Sequence, residues 1–418
     1  LEVQAKGQLK SVKQLQPAEL LKGQIYDLKG SGDLSQLKTE LLLSNKLSMQ
    51  LNAQVDLFQK NLPHSLIVNW QNLRWPLTGK AQYSSATGSL QSHGAINDYQ
   101  IRLQSDYLAK NIPTGKLRLN GQGNLQQFNL KRLFVNTLDG TANLSGLLKW
   151  QDTIKWDGQL AIDKIDLAKL DTQYTGDFSG LIKQNLQMNR NQQEKISWQF
   201  NIPEMDINGQ FLTRPFVIKG VLSGDNKKGI SFQNVTVNNA ENEFLINGLL
   251  AKQNDLAIKL NIVDLSHALL DGSGNINGEI KIQGTKDALN VKSNLQGTSL
   301  GYQTTTLDAF QLDSEALVSD KPTLTLQLMA NKLTIAEQRI DDIAINIQNT
   351  KSSATAEEHQ IDFSVKNKQQ SADIQIQTIQ KNGQWLSTLT AGTIDLYELQ
   401  LRLSKPFTIA RKNDNLLI

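Results

Sequence analysis

Apolar and polar side chains alternate at every second position through long stretches of the chain. The clearest windows are 116–122 (KLRLNGQ), 324–330 (LTLQLMA), 343–349 (IAINIQN) and 361–367 (IDFSVKN). Because successive side chains of a β-strand point to opposite sides of the sheet, each window predicts a strand with one apolar and one polar face. The pattern predicts roughly 25 to 30 such strands and no helix of three turns.

The links between these windows are short and polar, as at 225–229 (DNKKG) and 381–383 (KNG). Links of this length join antiparallel neighbours, since a parallel pair needs a crossover of a dozen residues or more. The chain is therefore predicted to be all-β, with each strand antiparallel to the next. The best helix candidate, 11–23 with Pro17 near its start, is short.

The alternation breaks in a similar way at three places. Residues 160–170 (LAIDKIDLAKL), 256–270 and 386–401 each alternate, slip by one place and contain an Ile/Val-Asp-Leu step. Aspartate is a preferred N-cap of a helical turn. We expect each aspartate to cap a single turn that carries a following leucine: Asp166 with Leu170, Asp264 with Leu269 and Asp395 with Leu399.

Short segments also recur along the chain. Val135-Asn136 recurs as Val237-Asn238, and 146–148 (GLL) recurs at 248–250, both 102 residues later. Self-similarity at a fixed spacing is typical of repeat architectures. We predict that residues 1–418 form a single elongated repeating β-groove, with units at about 24–170, 171–270 and 271–410.

A sheet of this length with one apolar face does not stay flat and uncovered in water. Open twisted sheets of more than about ten strands curl, split or are covered by a second layer. Since the sequence offers no helices for such a layer, we predict a long antiparallel twisted sheet that curls into an open, U-shaped groove with an apolar interior and few short helical turns.

The residues predicted to line this groove are the apolar members of the alternating windows. They are Leu117, Leu119, Leu160, Ile162, Leu256, Ile258, Leu260, Ile262, Leu324, Leu326, Leu328, Ile343, Ile345, Ile347, Ile361, Phe363, Val365, Ile374 and Ile376. Such residues fit either a lining that contacts lipid or a dry protein core. We favour lipid contact, because a core needs a second layer of structure.

Composition narrows the possible functions. Hydrophobic residues make up 39% and charged residues 20%, which indicates a folded chain with few apolar side chains for a compact core. The 43 basic and 40 acidic residues are scattered and give a net charge of +3, so no nucleic-acid partner is expected. The chain has no cysteine, which excludes disulfides and thiolate chemistry.

No constellation of residues predicts an enzyme, a metal site or a cofactor. The four histidines, His64, His93, His267 and His359, are far apart and lack ligand spacing. The segments 30–34 (GSGDL) and 121–125 (GQGNL) lie between strands rather than before a helix, so we expect hairpin turns and not phosphate loops. No apolar run is long enough for a membrane span or signal peptide.

Residues 69–79 (NWQNLRWPLTG) resemble the W-x-x-LRWPL element of the TamB family, which belongs to the AsmA-like repeating β-groove proteins of Gram-negative bacteria. The likeness rests on Leu73, Arg74, Trp75, Pro76 and Leu77, and on repeated G-x-L and IDL steps. It implies a non-enzymatic periplasmic lipid conduit that moves phospholipids between the inner and outer membranes and is linked to outer-membrane protein assembly.

The resemblance also implies partners. In that family an N-terminal helix anchors the full-length protein in the inner membrane, and a C-terminal domain engages an outer-membrane barrel of the TamA type. Neither end is evident in this sequence, so we expect the chain to be the middle, periplasm-spanning part.

Two other protein classes are weighed against the conduit. An elongated β-solenoid adhesin or structural scaffold predicts coils of about 20 to 25 residues, a period that is not found. A polysaccharide-cleaving enzyme predicts acidic and basic residues clustered at matching positions of adjacent coils, which are also not found. The conduit is the leading hypothesis and the solenoid the second.

Overall fold

The computed structural model describes residues 2–8, 23–45, 47–76, 80–110, 112–190, 196–352, 356–381, 384–412 and 415–417. These residues form 28 β-strands, and two 3₁₀ turns are the only helical elements among them. The predicted all-β class is confirmed, and most of the predicted helix at 11–23 lies outside the described residues. Within the described ranges, no helix has the length and hydropathy to cross a bilayer.

The chain divides into two compact units, Leu1–Gln210 and Phe211–Ile418. The strands of the first unit are β1 Glu2–Gln8, β2 Ile25–Ser31, β3 Leu37–Ser44, β4 Ser48–Val55, β5 His64–Trp75, β6 Tyr83–Ala95, β7 Asp98–Ala109, β8 Ile112–Gly123, β9 Gln127–Thr137, β10 Gly140–Lys149, β11 Ile154–Asp166, β12 Asp177–Arg190 and β13 Ile196–Phe211. A 3₁₀ turn, Leu167–Lys169, follows β11.

The strands of the second unit are β14 Arg214–Asp225, β15 Gly229–Asn239, β16 Asn242–Leu250, β17 Gln253–Ile262, β18 Gly272–Thr285, β19 Ala288–Tyr302, β20 Thr305–Ser319, β21 Thr323–Ile335, β22 Gln338–Ser352, β23 Ala356–Lys366, β24 Gln370–Lys381, β25 Gln384–Leu396, β26 Leu399–Arg402, β27 Phe407–Lys412 and β28 Asn415–Leu417. The second 3₁₀ turn, Leu265–His267, follows β17.

Within each unit the sheet is an antiparallel meander. Each strand pairs with the next one along the chain from β1 to β13 and from β14 to β26, and β25 also pairs with β27. Among the described pairings none joins the first strand of a unit to its last strand. The predicted open antiparallel sheet is therefore confirmed.

A β-bulge explains the slip in the alternation at 160–170. In the pairing of β11 with β12, Ile162 faces Gly180 and Ile165 faces Phe178, so β11 carries one extra residue there. Lys164 has a positive φ of 51° at this point. Because the extra residue shifts the side-chain period by one, Ile165 returns to the face of Ile162.

Two of the three predicted aspartate caps are present. The Asp166 carboxylate accepts a hydrogen bond from the backbone N–H of Ala168 at 2.9 Å, and Asp264 accepts one from the N–H of Ser266 at 2.9 Å. Each aspartate thereby satisfies an otherwise free donor of the 3₁₀ turn that follows it. The carboxylate of Asp264 has a lowered pKa, mainly because of hydrogen bonds from Ser266.

The third predicted turn, at Asp395, is wrong. Leu396 pairs directly with Leu399 across a two-residue hairpin link in which Tyr397 has a φ of 55°. Asp395 stays in β25, where it accepts hydrogen bonds from the side chains of Ser371 and Gln400. A single left-handed residue lets the chain reverse at once, so no helical turn forms.

The segments that repeat in the sequence share a local structure. Gly146 lies beside a bulge in the β9–β10 pairing, and Gly248 lies beside a bulge at the same place in the β15–β16 pairing. After each repeated segment, the next strand leads into a capped 3₁₀ turn. The three-unit division at 24–170, 171–270 and 271–410 stays a prediction.

Both glycine-containing segments run from the end of one strand into the link that leads to the next strand, as predicted. In the link after β2, Asp33 accepts hydrogen bonds from the N–H groups of Ser35 and Gln36. In the link after β8, Asn124 accepts them from Gln126 and Gln127. These side chains accept hydrogen bonds from the backbone N–H groups of the turns, so those N–H groups are already satisfied within the loops.

Candidate functional site

One continuous row of apolar side chains crosses all strands of the first unit. Each member is the cross-strand partner of the next, and paired residues lie on the same face of the sheet. From β1 to β13 the row is Ala5, Leu28, Leu41, Leu51, Val68, Leu90, Leu103, Leu119, Leu133, Leu144, Leu160, Ile182 and Met205. We call the side of the sheet that carries this row the apolar face of the first unit.

The second unit has an apolar face made of several parallel rows. One row is Leu260, Gly278, Leu295, Leu312, Leu328, Ile345, Phe363, Ile374 and Gly392. The rows beside it begin at Leu256, Ile258 and Ile262 on β17 and continue through the neighbouring strands. The sheet register therefore aligns apolar positions that are far apart in the sequence.

Every predicted groove residue lies on the apolar face of its unit. Leu117, Leu119, Leu160 and Ile162 do so in the first unit, and the others in the second. Leu256 and Ile262 are buried, whereas the remaining predicted residues are half-buried. The structure brings these residues together as surfaces; their contact with lipid stays a prediction.

The apolar faces are not sealed by a second layer in the part of the chain that the structure describes. The accessible surface area is 26648 Å². A compact monomer of 46.5 kDa exposes about 16,000 Å², and two separate compact domains of half that mass expose about 19,000 Å². The excess is what a single sheet layer leaves accessible. Correspondingly, the buried apolar side chains are few: Leu43, Leu47, Leu130, Val235, Leu256, Ile262 and Ala330.

Aromatic rings lie over glycines on the apolar face of the first unit. Trp70 and Gly88 are cross-strand partners, and a Cβ at Gly88 would lie 2.0 Å from Cζ2 of Trp70. A Cβ at Gly121 would likewise lie 2.2 Å from the ring of Phe128. A ring that covers a glycine shields the backbone from water without adding height to the surface. At these two positions the apolar face therefore presents an aromatic ring rather than exposed glycine backbone.

A partly buried polar cluster fixes the sheet beside Trp70. The indole N–H of Trp70 donates to Ser85 Oγ at 2.9 Å, and Ser85 Oγ donates to Asp106 Oδ1 at 2.9 Å. The N–H of Thr87 donates to the same carboxylate at 3.1 Å. Burial raises the pKa of Asp106, but the hydrogen bonds from Thr87 and Ser85 outweigh it, so its pKa is lowered. The cluster fastens a bulge in β6 between Ser84 and Gly88.

Polar side chains interrupt the apolar face of the second unit at two places. Ser293 and Ser314 are cross-strand partners whose hydroxyl oxygens lie 2.6 Å apart. His359 and Thr378 are partners near strand ends and are only 5% and 6% exposed. The serine hydroxyls bond each other, so they present little free hydrogen-bonding capacity to a ligand.

The opposite face of the first unit is polar. A row on this face consists of Asp27, Leu42, Gln50, Asn69, Ser89, Gln104 and Arg118. It lines a depression of about 1040 Å³ together with a neighbouring row that includes Asp106 and Lys116. The lining of the depression is mixed, because the apolar residues Ile25, Leu42 and Met49 border it together with these polar side chains. The predicted groove residue Leu117 borders it as well.

Within the described ranges, no group of three His, Asp or Glu side chains is placed to hold a metal ion. The residues of the LRWPL segment lie at the end of β5: Leu73 is half-buried and Trp75 is 53% exposed. Leu77 lies outside the described residues.

Sequence reasoning missed most of the row in the first unit. Leu28, Leu41, Leu51 and Leu90 stand in strands where the alternation is short or is disturbed by an adjacent leucine, as in 41–43 (LLL). Ile101 and Leu103 do alternate, and a search of shorter windows finds them.

Comparison with known proteins identifies a related family. The family model described as "TamB, N-terminal domain" matches residues 1–417; the sequence resemblance had favoured the middle part. Translocation and assembly module subunit TamB of Haemophilus influenzae is 24% identical over 417 residues, which cover 96% of this chain and 30% of that protein. No solved structure matches the chain. An open antiparallel sheet, repeated capped segments and a family match along nearly the whole sequence lead to one conclusion: the chain belongs to the TamB family.

Proposed function

We propose that this chain is a non-enzymatic lipid conduit of the Gram-negative cell envelope, and that it guides the acyl chains of phospholipids along its apolar faces. The observation that carries the proposal is the uninterrupted apolar row of the first unit, which passes through every strand from β1 to β13 while its members remain half-buried. A row that served only to fill a core would be covered by a second layer.

The energetics favour this use. Moving a sixteen-carbon acyl chain into water costs on the order of 12 kcal/mol, at about 0.8 kcal/mol for each methylene. A lipid therefore crosses an aqueous space only along a continuous apolar lining. Leucine, isoleucine and valine attract the chain without directional bonds. Neighbouring strands offer nearly equivalent positions about 4.8 Å apart, so a chain can move from one to the next without a deep trap.

The alternative of a β-solenoid adhesin or scaffold receives no support from the strand pairing. Solenoid coils stack strands in parallel, whereas consecutive strands here are antiparallel. An open antiparallel sheet also leaves its apolar face accessible, which a closed solenoid does not.

The relative from Haemophilus influenzae is named a subunit of a translocation and assembly module, and this chain spans about a third of that protein's length. We propose that the protein to which this chain belongs acts in the periplasm, is anchored in the inner membrane and works with an outer-membrane barrel of the TamA type. Phospholipid is the proposed cargo.

Site-specific photo-crosslinking tests the conduit. A photo-crosslinking amino acid at 258, 326 or 345 stands on the apolar face of the second unit, and one at 259, 327 or 346 stands on the opposite face of the same strands. We expect phospholipid to be captured from the first set only, as measured by mass spectrometry of the adducts. Equal capture from both faces would refute the proposal.

A further inference from the structure

The charges of the chain are unevenly distributed. Residues 57–138 contain nine Lys or Arg residues, at 60, 74, 80, 102, 110, 116, 118, 131 and 132, but only two acidic residues, Asp98 and Asp106. This stretch therefore carries an excess of seven positive charges, whereas the whole chain carries +3. It includes β5 to β9, so the even distribution read from the sequence does not hold for this part of the first unit.

Exposed apolar side chains lie at one end of the same strands. Trp75, Tyr83, Ala109 and Ile112 form one cross-strand row at the end of β5, the start of β6, the end of β7 and the start of β8. Ala109 stands an even number of residues from Leu103 in β7, so the row belongs to the apolar face. Trp75, Tyr83 and Ile112 are each 53% exposed.

Two cations lie in the links at this end of the strands. Lys80 is in the link between β5 and β6, Lys110 directly follows β7, and both are exposed. Arg74 is exposed as well, but it pairs with Ser84 in the row of Leu108, so it lies on the opposite face. The links are joined by backbone hydrogen bonds: Gln82 donates to Trp75, and Lys110 donates to Gln82. Neither lysine forms an ion pair with another described residue. We name Lys80, Lys110 and the row Trp75–Ile112 the basic lip.

We propose that the basic lip recognises the phosphate group of a phospholipid whose acyl chains lie on the apolar face. The inference rests on the proposed function, and it adds a binding site for the headgroup to an apolar face that by itself contacts only the acyl chains. Tryptophan and tyrosine prefer the boundary between apolar and aqueous surroundings, since each has an apolar ring and a polar tip. Unpaired Lys side chains beside such rings attract an anionic headgroup.

Photo-crosslinking with two lipids tests the basic lip in the purified chain. A photo-crosslinking residue replaces Tyr83 in the lip, or Leu108, which is equally exposed at 55% but lies on the opposite face. A third variant carries it at Leu119 on the apolar row. Each protein is incubated with mixed micelles of dioleoyl phosphatidylglycerol or of dioleoylglycerol, which has the same tails but no phosphate.

We expect capture at Tyr83 to favour the phosphate-bearing lipid and to exceed capture at Leu108. Replacing Lys80 and Lys110 by Gln should weaken capture about fivefold for each cation removed. The control variant, which makes the same charge change at other exposed lysines, should leave capture unchanged: Lys131→Gln and Lys149→Gln.

The outcomes separate this inference from the proposed function. Capture at Leu119 with no headgroup preference at Tyr83, or with no effect of the two lip substitutions, would overturn the basic lip and leave the conduit supported. An equal loss in the control variant would also overturn it, because general charge would then explain the binding. No capture at either Tyr83 or Leu119 would overturn both.

Discussion

The pairing of Gly88 with Trp70 makes a sharp test of the apolar face. The change is Gly88→Ala. A Cβ at this position would lie 2.0 Å from Cζ2 and 2.3 Å from Cε2 of Trp70, far inside van der Waals contact. Because the ring packs directly over the backbone of β6, it must move away from the sheet and into the space above the apolar face.

The size of the effect follows from two terms. Overpacking of this kind costs about 1–3 kcal/mol. Moving the ring also breaks the hydrogen bond from the indole N–H to Ser85 Oγ, which contributes about 1 kcal/mol. We therefore expect the free energy of unfolding to fall by roughly 2–4 kcal/mol.

Gly30→Ala is the matched control. Gly30 also lies within a strand of the first unit, and a Cβ there would meet nothing within 4 Å. This variant should be neutral or more stable by up to about 1 kcal/mol, since alanine loses less backbone entropy on folding. Urea denaturation followed by tryptophan fluorescence measures both variants. Equal stability of the two would show that Trp70 does not pack on β6, and the account of the lining would be wrong.

Three further predictions concern local structure. Asn242 is fully buried and bonds three backbone groups of the segment before the second 3₁₀ turn. Asn242→Ala should therefore speed amide exchange there by more than about 100-fold, since each lost partner costs roughly 1–3 kcal/mol, whereas exposed Asn261→Ala should not. Unchanged protection would contradict this role. Lys164→Gly should stabilise the chain by about 0.5–1 kcal/mol, because Lys164 has a positive φ. Lys155→Gly, in a regular part of the same strand, should instead destabilise the chain, as measured by urea denaturation. If Lys155→Gly were the more stable variant, the bulge at Lys164 would be in error. The lowered pKa of Asp106 means that its ionised form stabilises the fold at neutral pH, and that this contribution is lost as the pH falls below about 3.9. Amide hydrogen exchange in the β6 bulge should therefore speed up in acid, and this increase should be smaller in Asp106→Asn. An identical pH profile of exchange in the two proteins would refute the role of the carboxylate.

The alternation of side chains was sufficient to predict the fold class and the facing of the apolar positions. A period of two is a local property, and each hairpin link preserves it, so Leu326 and Ile345 could be assigned to a face without knowledge of their partners. The N-cap preference of aspartate likewise identified two turns correctly. At Asp395 it failed, because the same local sequence also fits a hairpin when one residue adopts a left-handed conformation.

The register across strands could not be predicted, since it depends on link lengths and bulges that shift pairing by one residue. The row through Leu41 and Leu51 therefore became visible only in the structure. The basic lip was missed for a different reason. Net charge was considered for the whole chain, and acidic residues elsewhere cancelled the excess between 57 and 138.

Nearest-neighbour pairing has a consequence for how such a chain changes in length. A strand bonds only to those next to it, so inserting or deleting a complete hairpin leaves every other pair intact and preserves which side is oily. Each hairpin alters the extent of the sheet by about 10 Å. Loss of a single strand would instead reverse the direction of every strand that follows it in the chain. Lineages of such proteins should therefore differ by even numbers of strands.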